Sequence, residues 1–316
     1  MGFFTNALVQ NITIGDNVRW ANNSMYNAFN GCSNFNRQVS IPNYITNLSQ
    51  TFRNCKLFNQ PVDIPNTVTD LSGTFYSCTN YNQPVTIPEN VVSMSQTFAS
   101  CYNFNQSVIV PNSVSNAYQT FYYCNQLNVV PVLGTSITNM YQTFYYCQNL
   151  RQYINIPNSA VNIAYLYYGC INLSINGINV VIPNSVTNMY YAFQGINNVY
   201  TNNVNIVVGT GITNLAYAFS GAVNNGAGGV IRIYSRNVAN GYYFFNVRRY
   251  NNSSGRQLQI YLNNYGDTRN TFLTSNMSAG GGGYNIGGGG SYIRLTYAYN
   301  YYYNDTYKLY IYNNFS

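Results

Sequence analysis

Large apolar side chains return along this chain at an interval too long for one helix face or one strand. An aromatic stands at Phe29, Phe52, Phe75, Phe98, Phe121, Phe144 and Tyr167, each 23 residues after the last. Three residues after each comes a cysteine: Cys32, Cys55, Cys78, Cys101, Cys124, Cys147 and Cys170. Three residues further stands another large apolar residue: Phe35, Phe58, Tyr81, Phe104, Leu127, Leu150 and Leu173. The interval then lengthens to 26, giving Phe193, Phe219 and Phe245, with Phe272 as a candidate last rung. Self-similarity at such a period predicts a solenoid, in which each coil buries its apolar residues only against its neighbours.

Within a coil the pattern switches to strict alternation, as in Val39-Ser40-Ile41, Val62-Asp63-Ile64 and Val85-Thr86-Ile87. Two apolar residues flanking a polar one share a face of a short strand. Pro-Asn then follows at 42–43, 65–66, 111–112, 157–158 and 183–184. Proline cannot donate to a ladder and asparagine favours turns, so the strand ends there. Gly134 and Gly209 take this place in two coils. An asparagine recurs beyond it, at Asn47, Asn116, Asn139, Asn162, Asn188, Asn214 and Asn240. An inward position for these side chains would let them satisfy turn backbone that is otherwise buried unpaired. The reading is a mainly β repeat solenoid, right-handed, with short helical or irregular segments.

The run C-x-x-F-N-Q-P-V-x-I-P-N-x-V-T-x-x-S-x-T-F-x-x-C, from Cys55 to Cys78, resembles the BspA-type leucine-rich repeat. It is also similar to the repeat of mycoplasma surface lipoproteins. The likeness covers about residues 20–220 well and 220–275 weakly. It implies a leucine-rich-repeat-like solenoid with a β-sheet on one face, and a role in surface adhesion or recognition.

The expected organisation is an N-terminal cap at 1–28, a solenoid at 29–275, and a glycine-rich loop with a capping β-hairpin at 276–316. The hairpin strands are 293–297 and 308–312, with Asn304, Asp305 and Thr306 as turn residues. An open coil would expose a sheet edge, which a cap covers.

Composition narrows the function. Only 6% of residues are charged and histidine is absent, while 35 tyrosines supply polar surface. So few charges protect poorly against self-association, which suits a subunit of an assembly or an extracellular protein. AT-rich coding alone would also enrich asparagine, tyrosine and isoleucine. The net charge of +7 is sparse and lies mainly beyond residue 230. It lacks the dense Lys and Arg clusters of a nucleic-acid interface. The opening residues show no basic and apolar leader pattern, and no run of 18 apolar residues predicts membrane insertion.

Catalytic constellations are missing. Without histidine there is no Ser-His or Cys-His pair. Asp63 and Glu89 are the one conceivable carboxylate pair, and solvated surface charge explains them better. The odd cysteine count, one per coil, argues against a disulfide framework. No C-x-x-C or histidine spacing offers a metal site. The cysteines read as buried thiols of a structural ladder with the aromatics at 29, 52, 75, 98, 121 and 144. Glycines 280–283 and 287–290 match no phosphate loop. No cofactor is expected.

The candidate ligand-binding residues are Tyr118, Tyr122, Tyr123, Tyr141, Tyr145, Tyr146, Tyr165 and Tyr168. Earlier coils carry Ser49, Ser72, Ser95, Asn54, Ser77 and Ser100 at corresponding places. An aromatic strip of this kind suits sugars or a protein partner; packing over coil edges or a neighbouring subunit is the alternative. The expectation is a non-enzymatic adhesion or structural protein of a bacteriophage virion (fibre, tail or capsid-decorating). It would contact host-surface glycan or protein, or other virion subunits, in a homo- or hetero-oligomeric assembly. A secreted or surface-anchored bacterial adhesin and an intracellular interaction scaffold or effector are the other readings.

Overall fold

The computed structural model describes residues 19–175, 178–196 and 204–219, and the backbone of strands at 230–235, 257–262 and 308–312. The chain forms two compact units, Met1–Leu150 and Arg151–Ser316. The division falls within the repeats rather than at 28/29, where Ala28 and Phe29 are both buried in one turn series. The expected boundary at 275/276 lies outside the described residues. The fold is mainly non-helical; the one helical element among the described residues is a short 3-10 turn, Ala21–Asn23.

In the first unit each repeat lies parallel on the next. Ser24 bridges to Asn47, Asn47 to Asp70, Asp70 to Ser93, Ser93 to Asn116 and Asn116 to Asn139. From this bridge the chain enters a series of tight turns in which amides alternate between two tasks. The amides of Leu48, Gln50, Phe52 and Asn54 donate to the carbonyls of Asp70, Ser72, Thr74 and Tyr76 in the next repeat, at 2.7–3.0 Å. Those of Thr51, Arg53 and Cys55 donate three residues back, to Leu48, Gln50 and Phe52. Helix is avoided because every second amide is committed to the neighbouring repeat. Two residues per turn series must then take left-handed backbone, here Gln50 (φ 56°) and Asn54 (φ 60°), as the third residue of a type II turn does.

The turns aim the recurring aromatics inward. Phe29, Phe52, Phe75, Phe98, Phe121 and Phe144 form one column with centroids 5.4–5.8 Å apart. Phe35, Phe58, Tyr81 and Phe104 form a second, 5.8–6.2 Å apart. Within a repeat the columns meet at 4.2–4.8 Å. All these rings are fully buried. Each such contact adds about 0.5–1.5 kcal/mol to what burial alone contributes.

Two polar ladders line this core. Buried Thr51, Thr74, Thr97, Thr120 and Thr143 donate their hydroxyls to carbonyls of the preceding repeat at 2.8–3.0 Å. Cys55, Cys78, Cys101, Cys124 and Cys147 donate their thiols to the carbonyls of Phe29, Phe52, Phe75, Phe98 and Phe121 at 2.9–3.1 Å. All seven cysteines are buried and unbridged.

The recurring asparagines are half-buried rather than inward. Each side-chain oxygen accepts from the amide two residues on: Asn47 from Ser49, Asn116 from Tyr118, Asn139 from Tyr141, Asn188 from Tyr190. These Asx turns start the turn series, and Asp70 does the same for Ser72. Asn240 lies outside the described residues.

The three-residue alternating segments do not form regular strands in the first unit. Prolines on both sides, such as Pro61 and Pro65, remove ladder donors. Ile109 and Val132 pair there as an isolated bridge. In the second unit the flanking prolines thin out and strands form: β1 (Asn179–Val181), β2 (Val204–Val208), β3 (Val230–Ser235), β4 (Gln257–Leu262) and β5 (Lys308–Tyr312). They make one parallel sheet in that order. Val180, Ile206, Ile233, Ile260 and Ile311 share one row.

The last strand revises the tail. Residues 308–312 pair parallel with β4 and continue the sheet. The expected hairpin partner, 293–297, and the candidate rungs Phe245 and Phe272 lie outside the described residues. Residues 182–203, 209–229 and 236–256 make the first three connections; the fourth, 263–307, is about double their length. The glycine runs therefore fall in an enlarged connection between adjacent strands.

Candidate functional site

The turn series presents four columns of outward or half-buried side chains, read off the repeat register. Two of these columns sit at the left-handed positions. One holds Asn27, Gln50, Gly73, Gln96, Gln119 and Gln142; the other holds Gly31, Asn54, Ser77, Ser100, Tyr123 and Tyr146. Their φ values are 52–80°. Glycine takes this conformation freely, whereas an ordinary side chain costs about 1–2 kcal/mol there. A tyrosine at such a place opposes the local backbone preference, so another interaction must hold it.

That interaction is ring stacking between repeats. In the first unit Tyr118 stacks on Tyr141 at 5.5 Å, Tyr122 on Tyr145 at 5.0 Å, and Tyr123 on Tyr146 at 5.0 Å. Tyr122 meets Tyr123 edge-on at 4.7 Å, which locks adjacent columns together. Gln96 donates its amide to Gln119, and Gln119 in turn to Gln142, a ladder between the tyrosine columns. All six tyrosines are half-buried, because each covers much of its neighbour's face. What remains outward is ring edge and hydroxyl.

The second unit has its own cluster. Tyr165 stacks on Tyr191 at 5.3 Å and Tyr191 on Tyr217 at 4.5 Å, all three with φ of 56°. Tyr190 meets Tyr191 edge-on at 4.3 Å, and Tyr168 packs against Tyr165 and Tyr191. Burial raises the phenols of Tyr122 and Tyr141 above their ordinary values, with the charges of neighbouring phenols adding to it. Tyr191 is raised by burial and by its hydrogen bond with Tyr190. The hydroxyls stay protonated and can donate as well as accept. Residues 118–146 contain no charged side chain, so the first cluster can contact a surface without a charge penalty.

Other candidates behave differently. Asp63 and Glu89 are both exposed on the protein surface. Asp63 lies at an open groove of about 650 Å³, lined also by Gln38, Val39, Ile41 and Ile64. Burial pushes the thiols of Cys55, Cys78, Cys101 and Cys124 well above the usual range, further raised by neighbouring thiols at Cys55, Cys78 and Cys124. That suppresses thiolate and with it nucleophilic and metal chemistry. Among the described residues, no group of three or more His, Cys, Asp or Glu is placed to hold a metal ion.

A family model described as "Mycoplasma protein of unknown function, DUF285" matches residues 23–132 and again 112–230. Together these spans exceed half of the chain. The chain belongs to the DUF285 family. The two overlapping matches mark DUF285 as a family of repeats, and they include both tyrosine clusters. No curated protein and no solved structure matches the chain.

Sequence reading of these DUF285 repeats missed two sets of residues. Tyr190, Tyr191 and Tyr217 belong to the second cluster, and counting 26 residues from Tyr165 would have found Tyr191 and Tyr217. Asn36, Asn59, Asn82 and Asn105 form a second amide ladder, the oxygens of the first three accepting from the next repeat's asparagine amide and glutamine side chain. The recurring F-N-Q triplet was its signal.

Proposed function

We propose that this chain is a leucine-rich-repeat-like solenoid that serves adhesion and structure, without catalysis. The observation that carries the reading is the pair of tyrosine clusters built at turn positions where other repeats carry glycine, serine or asparagine. Strained positions are filled with tyrosine at a cost, and the gain is rigid, uncharged aromatic surface. Tyrosine supplies contact area and a hydroxyl with little conformational entropy to lose, as favoured in binding surfaces. The setting we assign is the surface of a bacteriophage particle, where the clusters contact a host glycan or protein or another virion subunit. A charge content of 6% supports a subunit held within such an assembly.

The test is mass spectrometry of purified particles and cell fractions from the source. Recovery at fixed stoichiometry with intact particles supports the virion setting. Recovery in a cell-envelope or secreted fraction moves the same binding role to a bacterial adhesin. Recovery in cytosol alone defeats both and leaves an intracellular scaffold.

A further inference from the structure

The sheet of the second unit carries an apolar row on the wrong side for a solvated surface. Val180 and Ile206 are buried, at 0% and 1% exposure, as inward residues should be. Their neighbours Val181 and Val207 point the other way and are 53% and 40% exposed. The register continues this outer row through Tyr234, Tyr261 and Tyr312. A sheet with one face in water normally alternates apolar inside with polar outside. The first unit does so at its early repeats, where the exposed middle residues are Ser40, Asp63 and Thr86. In the second unit all five strands depart from that rule in the same row.

We infer that the outer face of β1–β5 is a binding platform for a linear polysaccharide. The inference shares with the proposed function the idea of a binding protein, but it uses different residues from the tyrosine turns. Two residues before the apolar row, on the same face by strand alternation, runs a row beginning Asn179, Asn205, Arg232 and Gln259. Valine and tyrosine suit the C–H face of a sugar; amides and a guanidinium suit its hydroxyls, and the guanidinium an acidic group. The five strands contain two basic residues, Arg232 and Lys308, and no acid, so the platform fits a neutral or acidic chain. The pair of rows repeats at every strand, about 4.8 Å apart. A ligand that repeats along the same direction meets the same apolar and polar groups at each rung, and an extended glycan is such a ligand. A protein partner would call for a compact apolar patch with a polar rim. A second copy would bring the basic residues of the platform toward one another.

The experiment is affinity electrophoresis of the full chain in gels cast with soluble mixed-linkage β-glucan, a neutral probe, or with alginate, an acidic one. Wild type should be retarded in at least one gel. Val181→Glu with Val207→Glu should weaken that retardation at least tenfold in apparent affinity. Val181→Ser with Val207→Thr, which copies the polar outer residues of the early repeats, guards against misfolding of the first variant and should weaken it too. Tyr118→Ser with Tyr141→Ser should leave it unchanged. Migration unaffected by either probe overturns the platform. So does retardation that survives both valine variants, or that is lost in the tyrosine variant; that last result would instead place glycan on the turn clusters. Light scattering supplies the remaining outcome: a wild-type dimer that the serine and threonine variant dissociates, without glycan binding, would assign the sheet to self-association and overturn the proposal.

Discussion

Tyr123 and Tyr146 stack at 5.0 Å with their ring planes 3° apart, and both hold left-handed backbone at φ of 56° and 55°. The two facts oppose each other energetically. The backbone costs about 1–2 kcal/mol per residue, and the stacked pair returns about 0.5–1.5 kcal/mol beyond burial.

The double variant Tyr123→Gly, Tyr146→Gly removes both terms, and Gly31 shows that this column accepts glycine. Its stability should stay within about 1 kcal/mol of wild type by chemical denaturation, because strain relief offsets lost stacking and burial. Binding to whatever copurifies with the chain should fall at least tenfold. A large loss of stability with binding intact would make the cluster a packing device and remove the support it gives to recognition.

The thiol column predicts a pH dependence. The folded thiols of Cys55, Cys78, Cys101 and Cys124 titrate well above the unfolded value, so the native state holds protons that the unfolded state releases. The stability they contribute is complete below the unfolded thiol pKa of about 8.5 and is lost as pH climbs from there toward the folded value. Each thiol contributes a slope of up to about 1.4 kcal/mol per pH unit. Melting temperature should therefore fall steeply between about pH 8.5 and 10, and Cys78→Ala should make the fall shallower. Equal slopes in the variant and wild type would show that other groups govern alkaline stability.

Tyr81 occupies the second aromatic column where the adjacent repeats place Phe58 and Phe104, and its hydroxyl is buried without a hydrogen-bond partner. An unsatisfied buried hydroxyl costs about 1–3 kcal/mol. Tyr81→Phe should raise stability by about 1 kcal/mol, and unchanged or lower stability in urea would mean that the hydroxyl is satisfied in solution.

Much of this architecture was legible because the period is written in residue type. Seven cysteines on one interval locate the thiol column, and the aromatics three residues away locate the ring columns. What could not be read was how the turn series uses its amides. A left-handed tyrosine such as Tyr165 or Tyr217 contradicts local propensity, so only the hydrogen bonds between repeats reveal it. The tyrosines at 118–168 were visible as departures from Ser49, Ser72 and Ser95, but their mutual stacking and half-burial depend on distances that spacing does not contain. Strand 308–312 was found as a strand, whereas its parallel partner lies across an enlarged connection, and alternation within one segment cannot name a partner.

Two glycines separate close approach from backbone freedom. A Cβ built on Gly134 would lie 2.3 Å from the carbonyl oxygen of Pro111 in the preceding repeat, with Val110 also inside contact. One on Gly73, at φ +63°, would meet the Gln50 side chain at 3.4 Å, an ordinary contact. Gly73→Ala should therefore cost only the left-handed backbone term, about 1 kcal/mol, since glutamine occupies the same column in other repeats. Gly134→Ala must push two stacked backbones apart and should cost about 1–3 kcal/mol from overpacking. It should also weaken amide protection at Val110 and Val132, whose hydrogen bonds join these repeats at 2.8 and 2.9 Å. Hydrogen exchange with thermal melts of both variants tests the ranking. Gly73→Ala proving the more damaging would show that the repeats tolerate separation better than a change in turn geometry.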